Sequence, residues 1–160
     1  LLVAQGIKTI VAGTTADRLR LDFAKKLGAA VAVNVAEQDL SAVVKEETDG
    51  FGVDIAFECA GAAGSVAACL NAVRPLGQFT QVGHFGKDIS VPFDCVAFRQ
   101  IRVAGSVGYT AATWQRALSL LSEGRVKIAD LVTHRLPLEE WQKGFAACED
   151  KSALKALLKP

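Results

Sequence analysis

The sequence predicts an α/β fold in which a doubly wound parallel sheet is covered by helices. Three strand-forming runs end in glycine and small polar residues, with helical segments between or after them: Val53 to Gly61, Gly77 to Gly86 and Ile101 to Gly108. Strands that alternate with helices form parallel sheets, and such sheets bind ligands at the carboxyl ends of their strands. We therefore interpret the chain as a nucleotide-binding α/β domain.

The elements before these runs follow from local patterns. Ile7 to Ala12 is rich in β-branched residues and predicts a strand that stops at Gly13. A helix should follow, with Asp17 as its N-cap and Gly28 after its last turn. A second strand is then expected at Val31 to Val35, followed by a second helix that starts at Leu40 and ends near Asp49-Gly50.

The rest of the chain continues the alternation. A helix from Ser65 to Val73 is expected to stop at Arg74-Pro75, because proline cannot continue a helix interior. Further strands are predicted at Val53 to Phe57, Phe79 to Val82, Ile101 to Val107, Val132 to Leu136 and Ala153 to Leu158. Further helices are predicted from Thr110 to Glu123 and from Leu138 to Cys148, with a short helical turn between Lys87 and Gln100.

The start of a nucleotide-binding sheet is missing from the sequence. The turn G-x-G-x-x-G, which should follow the first strand of such a domain, occurs nowhere. The chain opens on Leu1 to Gly6, a pattern typical of the end of a helix closed by glycine, and it contains no methionine. We expect that the first strand and its turn belong to an N-terminal part of a longer parent protein.

Charge and composition argue against several classes of protein. The formal net charge is +1 without a block of one sign, so neither a nucleic-acid partner nor a membrane partner is expected. No apolar run approaches the roughly 20 residues that span a bilayer, and nothing at Leu1 resembles a signal peptide. We expect a cytoplasmic protein.

Cysteine and histidine spacing gives no support for a metal site within the chain. Four cysteines lack C-x-x-C spacing, which argues against zinc ribbons and thioredoxin-type redox pairs. His84 and His134 stand far apart in sequence. The cysteines are expected to be small buried hydrophobic residues.

Five motifs in a fixed order carry a family resemblance. The succession VDIAFECAG, GQFTQVGHFG, VAGSVG, WQRAL-x-LL-x-EGRV and LVTHRLPLEEW-x-x-GF resembles the medium-chain dehydrogenase/reductase superfamily, and most closely its zinc-dependent sorbitol, polyol and threonine dehydrogenase branch. The resemblance covers nearly the whole chain. It implies a C-terminal fragment that holds a partial Rossmann-like dinucleotide-binding domain at residues 1–131, followed at residues 132–160 by elements that return to an absent catalytic domain.

The resemblance implies an oxidoreductase. Such an enzyme moves hydride between a secondary alcohol or polyol and NAD or NADP, and zinc acts as a Lewis acid on the substrate oxygen. The family's zinc ligands lie in the N-terminal part, so this chain is expected to hold neither metal nor catalytic residue, and to be inactive alone. The full-length parent is expected to be a homo-oligomer, a dimer or tetramer, that acts on small molecules.

The resemblance also places the adenosine ribose. Gly13 stands where the family's ribose-binding acid is expected, and Thr14 follows it in the turn. Arg20 matches a basic residue beside the ribose, with Arg18 near it in sequence. Because no carboxylate at Gly13 repels a 2′-phosphate, the pattern permits NADP as well as NAD.

The nicotinamide end is implied by three strand ends. Cys59, Ala60 and Gly61 match the strand end that passes under the cofactor's ribose. Two turns match the wall around the nicotinamide: Val82, Gly83 and His84, and then Gly105, Ser106 and Val107. Lys155 matches a basic residue near the pyrophosphate. We expect any side chain added at Gly83 or Gly105 to enter the cofactor's volume or to disturb a backbone conformation that glycine adopts freely.

Two other residues near these turns receive no catalytic role. His84 is an acid/base candidate by residue type, but its family position is a cofactor wall. Glu58 is expected to be a buried, hydrogen-bonded carboxylate.

Two alternatives remain open at this point. One is a zinc-independent quinone or enoyl reductase of the same superfamily. The other is a non-catalytic nucleotide-binding or oligomerisation module. A Cys, His and Glu zinc set encoded upstream of Leu1 would favour the dehydrogenase, whereas a start codon close by would favour the module.

Overall fold

The computed structural model describes residues 1–160. They form two compact units, one made of Leu1–Gln38 with Thr110–Pro160 and the other of Asp39–Tyr109. The strands are β1 (Ile10–Gly13), β2 (Val31–Asn34), β3 (Val53–Glu58), β4 (Val73–Gln81), β5 (Arg102–Gly105), β6 (Val132–Pro137) and β7 (Lys155–Lys159). The α-helices are α1 (Arg18–Lys26), α2 (Leu40–Glu47), α3 (Ala63–Ala72), α4 (Asp94–Phe98), α5 (Ala111–Ser122) and α6 (Trp141–Glu149).

The unit 39–109 is built on a three-stranded parallel sheet in the order β3-β4-β5. Its registers align the last residues of all three strands, because Glu58 pairs with Gln81 and Gln81 pairs with Gly105. One hydrophobic cluster lies between this sheet and α3. Its buried members are Ala56, Val66, Leu70, Val73, Phe79 and Ile101.

The other unit contains two two-stranded parallel sheets, β1-β2 and β6-β7. β1 and β2 run in register from Ile10 beside Val31 to Gly13 beside Asn34, and α1 connects them. α6 connects β6 and β7 in the same way. Every strand pair in the protein is therefore parallel, and the predicted α/β class is confirmed. The division at residues 131/132 stays a prediction.

Pro75 does not play the role expected of it. α3 ends at Ala72, and the chain enters β4 at Val73, so the proline lies inside a strand. The strand tolerates it because the register to β3 shifts there, with Val53 beside Val73 but Ile55 beside Gln78. The end of α3 is instead capped by Arg99, whose guanidinium donates to the carbonyls of Leu70, Asn71 and Val73.

Several boundaries differ from the sequence expectation by a few residues. β1 begins at Ile10 rather than Ile7, and β7 begins at Lys155 rather than Ala153. α6 begins at Trp141 after a separate 3-10 turn, Leu138–Glu140, instead of continuing from Leu138. Helix α2 begins at Leu40 as predicted and ends at Glu47, slightly before the expected end near Asp49-Gly50. None of the helices combines the length and the apolar character needed to cross a lipid bilayer.

Candidate functional site

Three adjacent strand ends form one edge of the β3-β4-β5 sheet. Glu58, Gln81 and Gly105 lie side by side in register at that edge. The structure brings nine of the predicted site residues to the turns that follow these ends: Cys59, Ala60, Gly61, Val82, Gly83, His84, Gly105, Ser106 and Val107. In parallel sheets this is the edge at which ligands bind.

Glu58 holds the turns at this edge together. Its side chain is fully buried, and its carboxylate accepts hydrogen bonds from the amides of Ala60 at 2.8 Å and Gly61 at 2.9 Å. The Ser65 hydroxyl and the Gln81 side-chain amide donate to it as well. The sequence expectation of a buried, hydrogen-bonded carboxylate is therefore confirmed.

The charge of Glu58 is stabilised without a cation. Burial alone would raise its pKa, but hydrogen bonds from Ser65, Ala60, Gln81 and Gly61 outweigh burial and lower the pKa. The carboxylate is therefore ionised at neutral pH, with its acceptor positions occupied by neutral donors. The carboxylate fixes the backbone conformation of the neighbouring turns, and because it is ionised it cannot act as a proton donor.

The backbone of Glu58 extends the same role. Its carbonyl oxygen accepts hydrogen bonds from the amides of Val82 at 2.8 Å and Gly83 at 2.9 Å. The side chain of Glu58 therefore binds the turn after β3, and its backbone carbonyl binds the turn after β4. Ser106 is attached in turn, since its amide donates to the carbonyl of Gln81 at 2.9 Å. The three strand ends are thus linked by hydrogen bonds that do not depend on a ligand.

Glycine is required at two of these turns because the backbones approach each other closely. Gly61 has a φ of +66°, and a Cβ there would collide with the backbone of His84. A Cβ at Gly83 would collide with the backbone of Gly61 and would lie 2.8 Å from Oε2 of Glu58. The expected reason for Gly83 is therefore wrong, because an added side chain would point into the neighbouring turn and the backbone conformation is an ordinary one.

Gly105 differs from Gly83. A Cβ built on it meets no atom within 4 Å, so a side chain there would enter open space beside the sheet edge. The neighbouring Val107 is 83% exposed. This is the volume that a planar group could fill.

Cys59 lies at the same edge and is exposed, as is Cys148, so the expectation of buried cysteines is wrong for these two residues. Desolvation of the sulfur and the charge of Glu58 raise the pKa of its thiol. The thiol is therefore protonated at neutral pH and is a poor nucleophile.

The end of β1 carries a second carboxylate. Asp17 Oδ2 accepts hydrogen bonds from the amide of Thr14 at 3.1 Å and from its hydroxyl at 2.8 Å. Asp17 Oδ1 accepts from Arg20 Nη1 at 3.3 Å and from Lys151 Nζ at 2.9 Å. Burial opposes ionisation, but the hydrogen bonds from Lys151 and Thr14 outweigh it and lower the pKa of Asp17 to about 2.

A side chain at Gly13 would be crowded by Asp17. A Cβ at Gly13 would lie 3.0 Å from Cβ of Asp17, which fills the space beside the strand end. Of the residues predicted to bind the adenosine half, the structure brings Gly13, Thr14 and Arg20 together around Asp17. Arg18 is exposed in the first turn of α1, and Lys155 is exposed at the start of the separate β6-β7 sheet.

Sequence reasoning missed Asp17 and Lys151 as members of this cluster. The spacing Thr14-x-x-Asp17 is that of a capping box, so a signal for the Asp17 contacts was present. Nothing in the sequence indicated Lys151, which lies 134 residues from its partner. Ser65 and Gln81 were also missed as ligands of Glu58.

The residues present fit a dinucleotide better than a metal ion. In the unit 39–109, the glycine turns and the open space at Gly105 suit a flat group. In the other unit, the cations after β1 suit an anionic group. No three side chains of His, Cys, Asp or Glu group closely enough to hold a metal ion.

Comparison with known proteins agrees with this geometry. The model of the zinc-binding dehydrogenase family matches residues 1–123. The chain is 37% identical to a sorbitol dehydrogenase of Halalkalibacterium halodurans, over 100% of this chain and 48% of that protein. It is also 37% identical to a D-arabitol-phosphate dehydrogenase of Enterococcus avium, over 96% of this chain and 44% of that protein.

A solved dehydrogenase structure has a similar fold. The 2R,3R-butanediol dehydrogenase of Bacillus subtilis superposes with a TM-score of 0.86 at 28% identity, over 99% of this chain and 46% of that one. The chain spans about half the length of the relatives it matches. Parallel strands, glycine turns at the strand ends and the matching family model lead to one conclusion: this chain belongs to the zinc-binding dehydrogenase family.

Proposed function

We propose that this chain forms the cofactor-binding part of a dehydrogenase that transfers hydride between a polyol, or another secondary alcohol, and NAD or NADP. The observation that carries the proposal is the in-register edge formed by Glu58, Gln81 and Gly105, with a glycine turn after each strand. Relatives named for sorbitol and D-arabitol phosphate support a polyol as the substrate class. The full-length protein is proposed to be a cytoplasmic homo-oligomer, a dimer or tetramer.

The residues of this chain would bind and orient the cofactor. The nicotinamide ring itself supplies the chemistry of accepting or donating hydride. The turn Cys59 to Gly61 would pass under the cofactor's ribose. Val82 to His84 would line the nicotinamide, and Gly105 to Val107 would leave the space that the ring fills. Thr14, Arg18 and Arg20 would meet the adenosine ribose beside Gly13, and Lys155 the pyrophosphate.

Zinc is assigned to residues outside this chain. The side chains present offer no cluster that would hold it. In the proposed reaction, the part of this chain is to hold the cofactor in one orientation.

The proposal is tested on the full-length protein that carries this chain. Sorbitol, D-arabitol and 2,3-butanediol are offered with NAD or NADP, and reduced nicotinamide is measured by absorbance, before and after zinc is removed and restored. We expect polyol oxidation that depends on zinc, and none from the isolated 160 residues. Turnover of quinones without zinc would replace the proposal by the reductase alternative, and a full-length protein that binds no nicotinamide cofactor would refute it.

A variant at Gly105 tests the placement of the nicotinamide. Because a side chain there enters open space, Gly105→Val should leave the fold intact but occupy the cofactor's volume. We expect the cofactor Kd to rise at least tenfold, or about 1.4 kcal/mol, while far-ultraviolet circular dichroism is unchanged. An unchanged Kd would move the nicotinamide away from this strand end.

A further inference from the structure

Lys151 takes part in a charge cluster to which the proposed function gives no role. It follows α6 and reaches Oδ1 of Asp17 at 2.9 Å, and Arg20 reaches the same oxygen at 3.3 Å. All three residues belong to one compact unit. The cluster lies directly after β1, since Asp17 also binds the amide and hydroxyl of Thr14.

The carboxylate of Asp17 has no acceptor position left. An ionised carboxyl group offers about four lone-pair sites, two on each oxygen. Thr14 uses both sites on Oδ2, and Arg20 and Lys151 use those on Oδ1. Asp17 is therefore not available to accept the two hydroxyls of a ribose, which is how an acid at this strand end selects NAD.

The two cations, by contrast, keep most of their donors. An ammonium group has three N–H donors and a guanidinium group has five, and each gives one bond to Asp17. One carboxylate neutralises only one of the two positive charges. Both side chains are 39% exposed, so the free donors are accessible to a ligand.

We propose that Lys151, together with Arg20, binds the 2′-phosphate of NADP, and that Asp17 is the positioning residue that holds both cations in place. A phosphate monoester carries a charge near −2 and three acceptor oxygens, which matches a site with one surplus positive charge and several free donors. This inference rests on the proposed function, because it requires a nicotinamide cofactor whose adenosine ribose lies at the end of β1. It makes Lys151 a specificity-determining residue.

The test compares Lys151→Met with Lys143→Met in the full-length protein. Lys143 is a matched control, since it lies on α6 and pairs with a carboxylate, Glu140, at 3.1 Å. The Kd values of NADP and NAD are measured by calorimetry. We expect Lys151→Met to raise the Kd of NADP at least tenfold and the Kd of NAD less than twofold. Lys143→Met should change neither Kd. Lys151→Arg should keep most of the NADP affinity.

Four results would overturn the inference. If Lys151→Met raised the Kd of both cofactors equally, Lys151 would have a structural role only. If it changed neither Kd, Lys151 would not belong to the site. A wild-type protein that binds NAD but rejects NADP would refute the inference and leave the proposed function standing. A wild-type protein that binds neither cofactor would refute the proposed function, and this inference with it.

Discussion

Glu58 and Asp17 are both carboxylates at the carboxyl end of a β-strand, and both have a lowered pKa, but their partners differ. Glu58 is buried among neutral donors, namely two backbone amides, a hydroxyl and a side-chain amide. Asp17 is partly exposed and binds two cations in addition to Thr14. The negative charge of Glu58 is used to shape the backbone, whereas that of Asp17 is used to position positive charge.

The different partners of Glu58 and Asp17 predict different effects of mutation at the two sites. Loss of the buried Glu58 carboxylate would leave four part-buried donors without their acceptor, so we expect the environment of Glu58 to govern the stability of the fold. Exposed ion pairs are screened by salt and contribute little to stability. The environment of Asp17 should therefore affect ligand selection more than folding.

The largest effect is expected for Glu58→Ala. It leaves the amides of Ala60 and Gly61 without their acceptor, and we expect the free energy of unfolding to fall by about 3 kcal/mol. Urea denaturation followed by circular dichroism measures the loss. Glu139→Ala, at an exposed position, should stay within about 0.5 kcal/mol of wild type. A Glu58→Ala protein as stable as this control would contradict the structural role of Glu58.

A smaller loss of stability is expected to distinguish alanine substitutions at Gly83 and Gly105. Gly83→Ala places a methyl group against the backbone of Gly61, so we expect about 2 kcal/mol of destabilisation. Gly105→Ala faces open space and should change stability by less than about 0.5 kcal/mol. Thermal or urea unfolding of the two variants side by side measures the difference, and equal stabilities would show that the turns after β3 and β4 do not touch.

The smallest effect concerns the pH dependence of Asp17. Its pKa falls from 3.8 to about 2 on folding, so its contribution is present above pH 4 and is lost as the pH falls toward 2. Because Arg20 and Lys151 are partly exposed and screened, we expect about 1 kcal/mol. The difference in unfolding free energy between wild type and Asp17→Asn, measured from pH 6 to pH 2, should shrink toward acid pH. A difference independent of pH would mean that the ion pairs contribute nothing.

Local pattern was sufficient for much of the fold. The start of α2 at Leu40 follows from its apolar spacing, and in the structure Asp39 caps it by accepting the amide of Ser41. The glycines after α1 and before β1 were also predicted, and both have positive φ. Pro75 shows where this reasoning fails, because a proline that ends a helix in isolation can also lie in a strand whose register shifts.

The order of strands and helices and the small polar residues at each strand end could be read from the sequence alone, since they depend on neighbours a few positions away. Which side chains bind each other at those strand ends depends on tertiary packing. Gln81 reaches Glu58 across 23 residues and Lys151 reaches Asp17 across 134, and no local propensity encodes such contacts. The direction in which a side chain at Gly83 would point was decided in the same way, because it depends on the turn of the neighbouring strand, which packing alone brings beside it.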